Sequence, residues 1–136
     1  MQKEKIKLEE LLGIFQVFQF LYHSELFIKT HYWVDRIFED VEKEFKKLEV
    51  SRKKLLDKYG TLDEKGELKL SADKKQYEFE PEKRVEFEKE YADIGQEEIE
   101  INTHKFTPEQ FGDLKITGPM RKVLKRFLDE KVPEMP

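Results

Sequence analysis

The stretch Ser51–Leu70 reads SRKKLLDKYGTLDEKGELKL and gathers acids around a glycine, the raw material of a calcium loop. Such a loop needs oxygen ligands at positions 1, 3, 5, 7, 9 and 12, with a glycine at position 6. With Gly66 as that glycine, Thr61, Asp63 and Lys65 fall on the first three ligand positions and Ala72 on the last. A cation then stands where an oxygen is required, and the bidentate acid is missing. The stretch reads instead as turn chemistry: Gly60 is expected to be a left-handed cap that ends a helix, and Asp63–Gly66 the turn into a strand.

The remaining chemical residue types are no better arranged. His23, His31 and His104 lack the close spacing of a zinc site, which takes three or four ligands, and His23 and His31 flank an expected bend as ordinary junction residues. The lack of cysteine removes thiolate nucleophiles, thiolate metal ligands and disulfides together, and fits a reducing compartment. Ser24, Ser51 and Ser71 sit in no nucleophile-elbow pattern, and the scattered glycines form neither a phosphate-cradling loop nor a dinucleotide fingerprint. Among 30 acidic residues, no carboxylate pair stands apart as acid and base. The expectation is a protein without catalytic residues, metal or cofactor.

Two sets of residues could still recognise a partner. Arg121, Lys122, Lys125 and Arg126 share the polar side of a C-terminal helix and could contact phosphates or an acidic protein. They also suit the solvated face of an amphipathic helix. Acids dominate from Glu78 to Glu100, bases dominate from Lys115 to Lys131, and the net charge is −4, so pairing within the chain is the simpler reading. The aromatic group Phe15, Phe18, Phe20, Tyr22, Phe27, Tyr32 and Trp33 reads as core, or as the kind of interaction surface where aromatics concentrate.

The elements that would position these residues follow from periodicity. Leu8, Leu11, Leu12, Phe15, Phe18 and Tyr22 recur by three and four as one face of a helix, widened by Ile14, Val17, Phe20 and Leu21. Val34, Phe38, Val41, Phe45, Leu48, Arg52, Leu55 and Tyr59 form a heptad seam broken only by Arg52, which predicts a long helix over about Thr30–Tyr59. Glu39–Lys43, Glu42–Lys46 and Glu49–Lys53 would support it from outside. The period then changes to two. Leu68 with Leu70, Tyr77 with Phe79, and Ile99 with Ile101 predict three short strands. Between the last two, Pro81 opens and Gly95 closes a helix with Val85, Phe87, Tyr91 and Ile94 inward. Thr107 and Gln110 predict a capped helical turn ending at Gly112, and Gly118–Pro119 open a helix with the stripe Met120, Val123, Leu124, Phe127 and Leu128.

In order, the buried helix, the charged helix ending in SRKKLLDKYG, the TLDEKGELKL hairpin, VEFEKEYADIGQEEIEI and FGDLKITGPMRKVL resemble a group of small proteins encoded in tailed-bacteriophage genomes. The likeness spans residues 26–128 and rests on structural motifs: a KYG-like helix end, a D-x-x-G turn, and a short acidic helix leading into an E-V-E-I-like strand. That group has no assigned activity or catalytic residues. The resemblance therefore implies a phage setting, in which the protein serves as an assembly component, a virion accessory or a binder of a host protein.

Composition agrees with a folded, water-facing chain. Of the 136 residues, 41% are charged, yet 11 Phe, 5 Tyr and a Trp are too many large apolar groups for disorder. The apolar run Leu11–Tyr22 is too short to span a bilayer, which takes about 20 residues, and no cleavage site follows it. The sequence thus predicts an α+β fold, mainly helical, with one long heptad-patterned helix, a small three-stranded sheet and a C-terminal amphipathic helix. It predicts one domain over 1–136, with helices in 1–60, sheet and helices in 61–131, and a short tail at 132–136. The expected function is non-enzymatic protein binding in the host cytoplasm or the virion. The interface would be Val34, Phe38, Val41, Phe45 and Leu48 with Phe18, Tyr22 and Trp33, and the partner a second copy, another phage protein or a host protein. Nucleic-acid binding through Arg121, Lys122, Lys125 and Arg126 is the alternative, and no membrane association is expected.

Overall fold

A computed structural model describes residues 2–72 and 76–129, so the tail expected at 132–136 lies outside it. Strand β1, Gln2–Lys7, leads directly into helix α1, Leu8–Tyr22, and a short bend connects to α2, Ile28–Tyr59. At 1.5 Å per residue, α2 is about 48 Å long. A loop carrying isolated bridges follows, then α3, Pro81–Gly95, strand β2, Glu98–Thr103, a 3-10 turn at Pro108–Phe111, and α4, Gly118–Leu124, which tightens into a 3-10 turn at Lys125–Phe127.

The core lies where α1 packs along α2 from Val34 to Leu48. Leu11, Ile14, Val17, Phe18 and Leu21 meet Val34, Ile37, Phe38, Val41 and Leu48, and Phe106, Leu124 and Phe127 close the far side. The inward face of α1 is thus the 11-14-18-21 row, and Leu12, Phe20 and Tyr22 of the predicted stripe stand outside it. Phe15 stacks on Phe45 with centroids 4.4 Å apart, and Phe18 meets the edge of Phe127 at 4.8 Å. Past Leu48 the buried row moves from the expected Leu55 to Leu56. Of the three ion pairs expected on α2, Glu42–Lys46 forms at 3.5 Å; Lys47–Glu44 and Arg52–Glu49 take up i,i+3 positions instead.

The sheet differs from the expectation of three strands. Its strands are β1 and β2, antiparallel, with Gln2 opposite Thr103 and Ile6 opposite Ile99. Among the described residues, the alternating segments around Leu68, Leu70, Tyr77 and Phe79 make isolated bridges only, Gly60 to Phe79, Leu62 to Leu68 and Leu70 to Tyr77. Leu68 rests on the end of α2 and Phe79 on Phe87 of α3, but Leu62, Leu70 and Tyr77 remain exposed, too little cover to drive a continuous ladder. The free edge of β2 is instead closed by α2, where Asp40 Oδ2 accepts from the Asn102 amide at 2.8 Å. Helix α3 has the predicted bounds, but Val85 points outward and only Phe87, Tyr91 and Ile94 turn inward.

Several caps formed as the residue types required. Asp63 Oδ1 accepts from the amides of Lys65 and Glu67, and Gly66 takes a φ of 80°. The Gln110 side chain accepts from the Thr107 amide at 2.8 Å, Gly112 closes that turn with a φ of 57°, and Thr117 Oγ1 caps α4. Gly60 corrects the expectation made for it. Its φ of −69° and ψ of 151° are extended, not left-handed. Glycine is needed there because a Cβ would lie 2.6 Å from both the Leu56 carbonyl oxygen and Leu68 Cδ2. Gly95 is similarly a point of close approach, where an added Cβ would lie 3.2 Å from Glu9 Cβ, and lets α3 rest on the start of α1.

Candidate protein-interaction surface

The bend between α1 and α2 is fixed by two side chains. Ser24 Oγ donates to the Phe20 carbonyl, which ends α1. His31, in the first turn of α2, holds Nε2 2.9 Å from the Tyr22 carbonyl and Nδ1 2.9 Å from Asp35 Oδ1. A neutral imidazole has one N–H and can donate to only one of these acceptors, whereas the imidazolium serves both. The hydrogen bond to Tyr22 is the main cause, with Asp35 adding to it, of a pKa raised above the ordinary 6.5.

A group whose folded pKa is raised stabilises the fold below its unfolded pKa, and that contribution is lost as pH climbs through the folded value. Urea titrations of wild type and His31→Gln are therefore expected to differ most below pH 6.5 and to converge above it. A constant difference from acid to alkaline pH would rule out the double-acceptor role of His31. His104 works in the opposite sense: burial lowers its pKa below 6.5, so acidification costs stability, equally in both proteins.

With the bend held this way, the residues at the start of α2 face outward. Ile28 is 89% exposed, Phe27 67% and Tyr32 51%. Ile28 and Tyr32 stand four apart on one side of the helix, and Arg36 extends the row by donating to the Tyr32 hydroxyl at 2.7 Å. Tyr32 meets the edge of Trp33, and Trp33 lies flat on His104 with centroids 4.2 Å apart and planes 4° apart. Beside this stack is a shallow concavity of about 480 Å³ lined by Gln2, Trp33, Thr103, His104 and Lys105. Thr103 is buried, and its Oγ1 has no hydrogen-bond partner among the described residues.

The residues expected to form an interface are distributed differently. Phe18, Val34, Phe38, Val41 and Leu48 are buried in the chain's own core, and Phe45 is covered on one side by Phe15. As far as Leu48, the heptad seam is thus covered by α1 within the chain. Trp33 is half-buried, and Tyr22 is exposed with its ring 4.9 Å from Phe38. Ile28, Thr103 and His104 were not foreseen as part of such a surface. Ile28 could have been found, because it stands off the 30-34-37-41 row that faces α1.

The basic set is divided too. Arg126 turns inward, its guanidinium 2.5 Å from Glu10 Oε2 and 3.8 Å from Glu4 Oε1. Glu10 also accepts from the Lys7 amide at the start of α1, so one carboxylate joins β1, α1 and the C-terminal turn. Arg121, Lys122 and Lys125 remain exposed. Among the described residues, no three His, Asp or Glu side chains are placed to hold a metal ion, and no helix is long and apolar enough to cross a membrane. No family model, curated protein or solved structure matches this chain.

Proposed function

We propose that the chain is a non-enzymatic binding protein that holds a partner protein against the rim of Phe27, Ile28 and Tyr32, with the Trp33–His104 stack as its inner margin. One observation carries this reading. Adjacent large apolar residues, Phe27 and Ile28, project into water beside a well-filled core. Removing such surface from water yields roughly 25 cal/mol per Å², and clustered exposed apolar groups mark interaction sites. The neighbours Tyr32, Trp33 and Arg36 are the three residue types that dominate contact energies at interfaces. In the phage setting implied by the resemblance, the partner is a host protein, a virion protein or a second copy of the chain.

A photo-crosslinking amino acid tests the rim directly. Placed at Phe27 in producing cells, it is expected to capture one discrete partner. Placed at Lys54, on the far end of α2, it is expected to capture none. The double variant Phe27→Asp with Ile28→Lys should abolish partner binding while leaving the unfolding free energy within about 0.5 kcal/mol of wild type. Equal capture at both positions, or binding unaffected by the double variant, would remove the rim as the interface.

A further inference from the structure

Arg52 interrupts an otherwise apolar seam, and its surroundings give it a use. One turn past Leu48, the covering helix α1 has ended and α2 is flanked by α3 and the loop that precedes it. There Arg52 lines a cleft of about 210 Å³, with Leu56, Phe79 and Phe87 as apolar walls. The rings of Phe79 and Phe87 are 4.9 Å apart. Arg84 enters the same cleft from α3, paired with Glu88 at 3.3 Å. Arg52 is less well served: among the described residues its one ion pair is to Glu49 at 3.8 Å, and its guanidinium makes no hydrogen bond.

Each guanidinium meets one carboxylate of its own helix, Glu49 for Arg52 at 3.8 Å and Glu88 for Arg84 at 3.3 Å, and with five N–H donors apiece both keep donors for a further oxyanion. An anion that joins two like charges sharing a partly apolar cleft eases their mutual repulsion. Guanidinium pairs best with a planar oxyanion that it can meet through two parallel hydrogen bonds. We propose that this cleft binds a monoanionic carboxylate borne on a compact apolar body, of the 3-phenylpropionate type. The carboxylate bridges Arg52 and Arg84, and the ring lies against Leu56, Phe79 and Phe87. A dianionic phosphate suits the cleft less well, because it would face Glu88 and Glu49. The chemistry is the same for a free aromatic acid and for the C-terminal residue of a peptide.

Calorimetric titration of the full chain with 3-phenylpropionate tests this. The expected result is saturable one-to-one binding that 3-phenylpropanol, the same body without the charge, does not reproduce. Arg52→Gln and Arg84→Gln should each weaken binding by about tenfold or more, and Arg52→Lys, which keeps the charge but loses the fork, should fall between. No saturable heat with the acid, equal binding of the alcohol, or wild-type binding by Arg52→Gln would each overturn the site. Should a variant fail to fold, the acid-against-alcohol comparison on the wild-type chain decides alone. A tetrapeptide ending in phenylalanine, with its terminus free or amidated, separates the two sources. Tighter binding of the free-ended peptide than of 3-phenylpropionate assigns the carboxylate to a chain end, and weaker binding assigns it to a free acid.

Discussion

Phe18→Ala is expected to lower the unfolding free energy by about 3–5 kcal/mol, seen as a shifted urea midpoint at an unchanged slope. Phe18 is fully buried, belongs to the row of α1 that faces α2, and meets the edge of Phe127 from the C-terminal turn. Truncation removes a ring where three parts of the chain converge. None of the three can move in alone to fill the space, because each is tied elsewhere. Helix α1 is anchored through Glu10 to Arg126, and the C-terminal turn is anchored to Phe106 by backbone hydrogen bonds from both Phe106 and Asp129. The companion variant Phe27→Ala should change stability by less than about 0.5 kcal/mol, since that ring loses little contact on truncation. Equal costs for the two variants would mean that the packing of α1 on α2 is misplaced.

Gly60→Ala is expected to cost about 1–3 kcal/mol, by overpacking rather than by backbone conformation. The residue ends α2 with extended torsions that alanine adopts freely, so a propensity argument predicts little change or a small gain. The added methyl, however, would sit 2.6 Å from the Leu56 carbonyl oxygen, which is backbone and already accepts from the Gly60 amide at 2.7 Å. Leu68 on the other side can rotate away, but only by giving up its place against the helix end. Hydrogen exchange at Thr61, Lys69 and Glu78, whose amides hold the following loop together, is expected to speed up before the rest of the chain responds. An unchanged or raised midpoint would show that the loop yields without penalty.

These two residues also illustrate what the sequence discloses. The helices were legible because the residues that pack α1 on α2 recur at short, fixed spacing, and Pro81, Gly95, Thr107 and Gly112 announce their ends locally. The need for glycine at position 60 was legible, but its reason was not. A glycine before a turn looks like a left-handed cap, and only the tertiary approach of Leu68 shows that it makes room. Strand β1 left even less trace. QKEKIK has one apolar residue, Ile6, and its partner strand lies at the other end of the chain. Conversely, the alternation at Leu68, Leu70, Tyr77 and Phe79 is real, but alternation makes a sheet only where something covers the apolar side. For the surface the difficulty was of the same kind. A heptad seam shows that a helix needs a partner without saying whether the partner is in the same chain, and here α1 supplies it. Arg52 was visible as an exception to the seam, but its companion Arg84 comes from a different helix, and no spacing rule connects them.

The β1–β2 pairing also sets an order of events at the ribosome. Gln2 is made before all four helices, and its ladder partner Thr103 is made after three of them. A nascent chain can bring α1 and α2 together early, through contacts that are close in sequence, yet it must carry β1 unpaired until β2 has emerged. During that interval the waiting strand is QKEKIK, whose Lys3, Lys5 and Lys7 would face one another if two nascent chains paired parallel and in register. The charges that hid this strand from pattern reading are thus what lets it wait without aggregating.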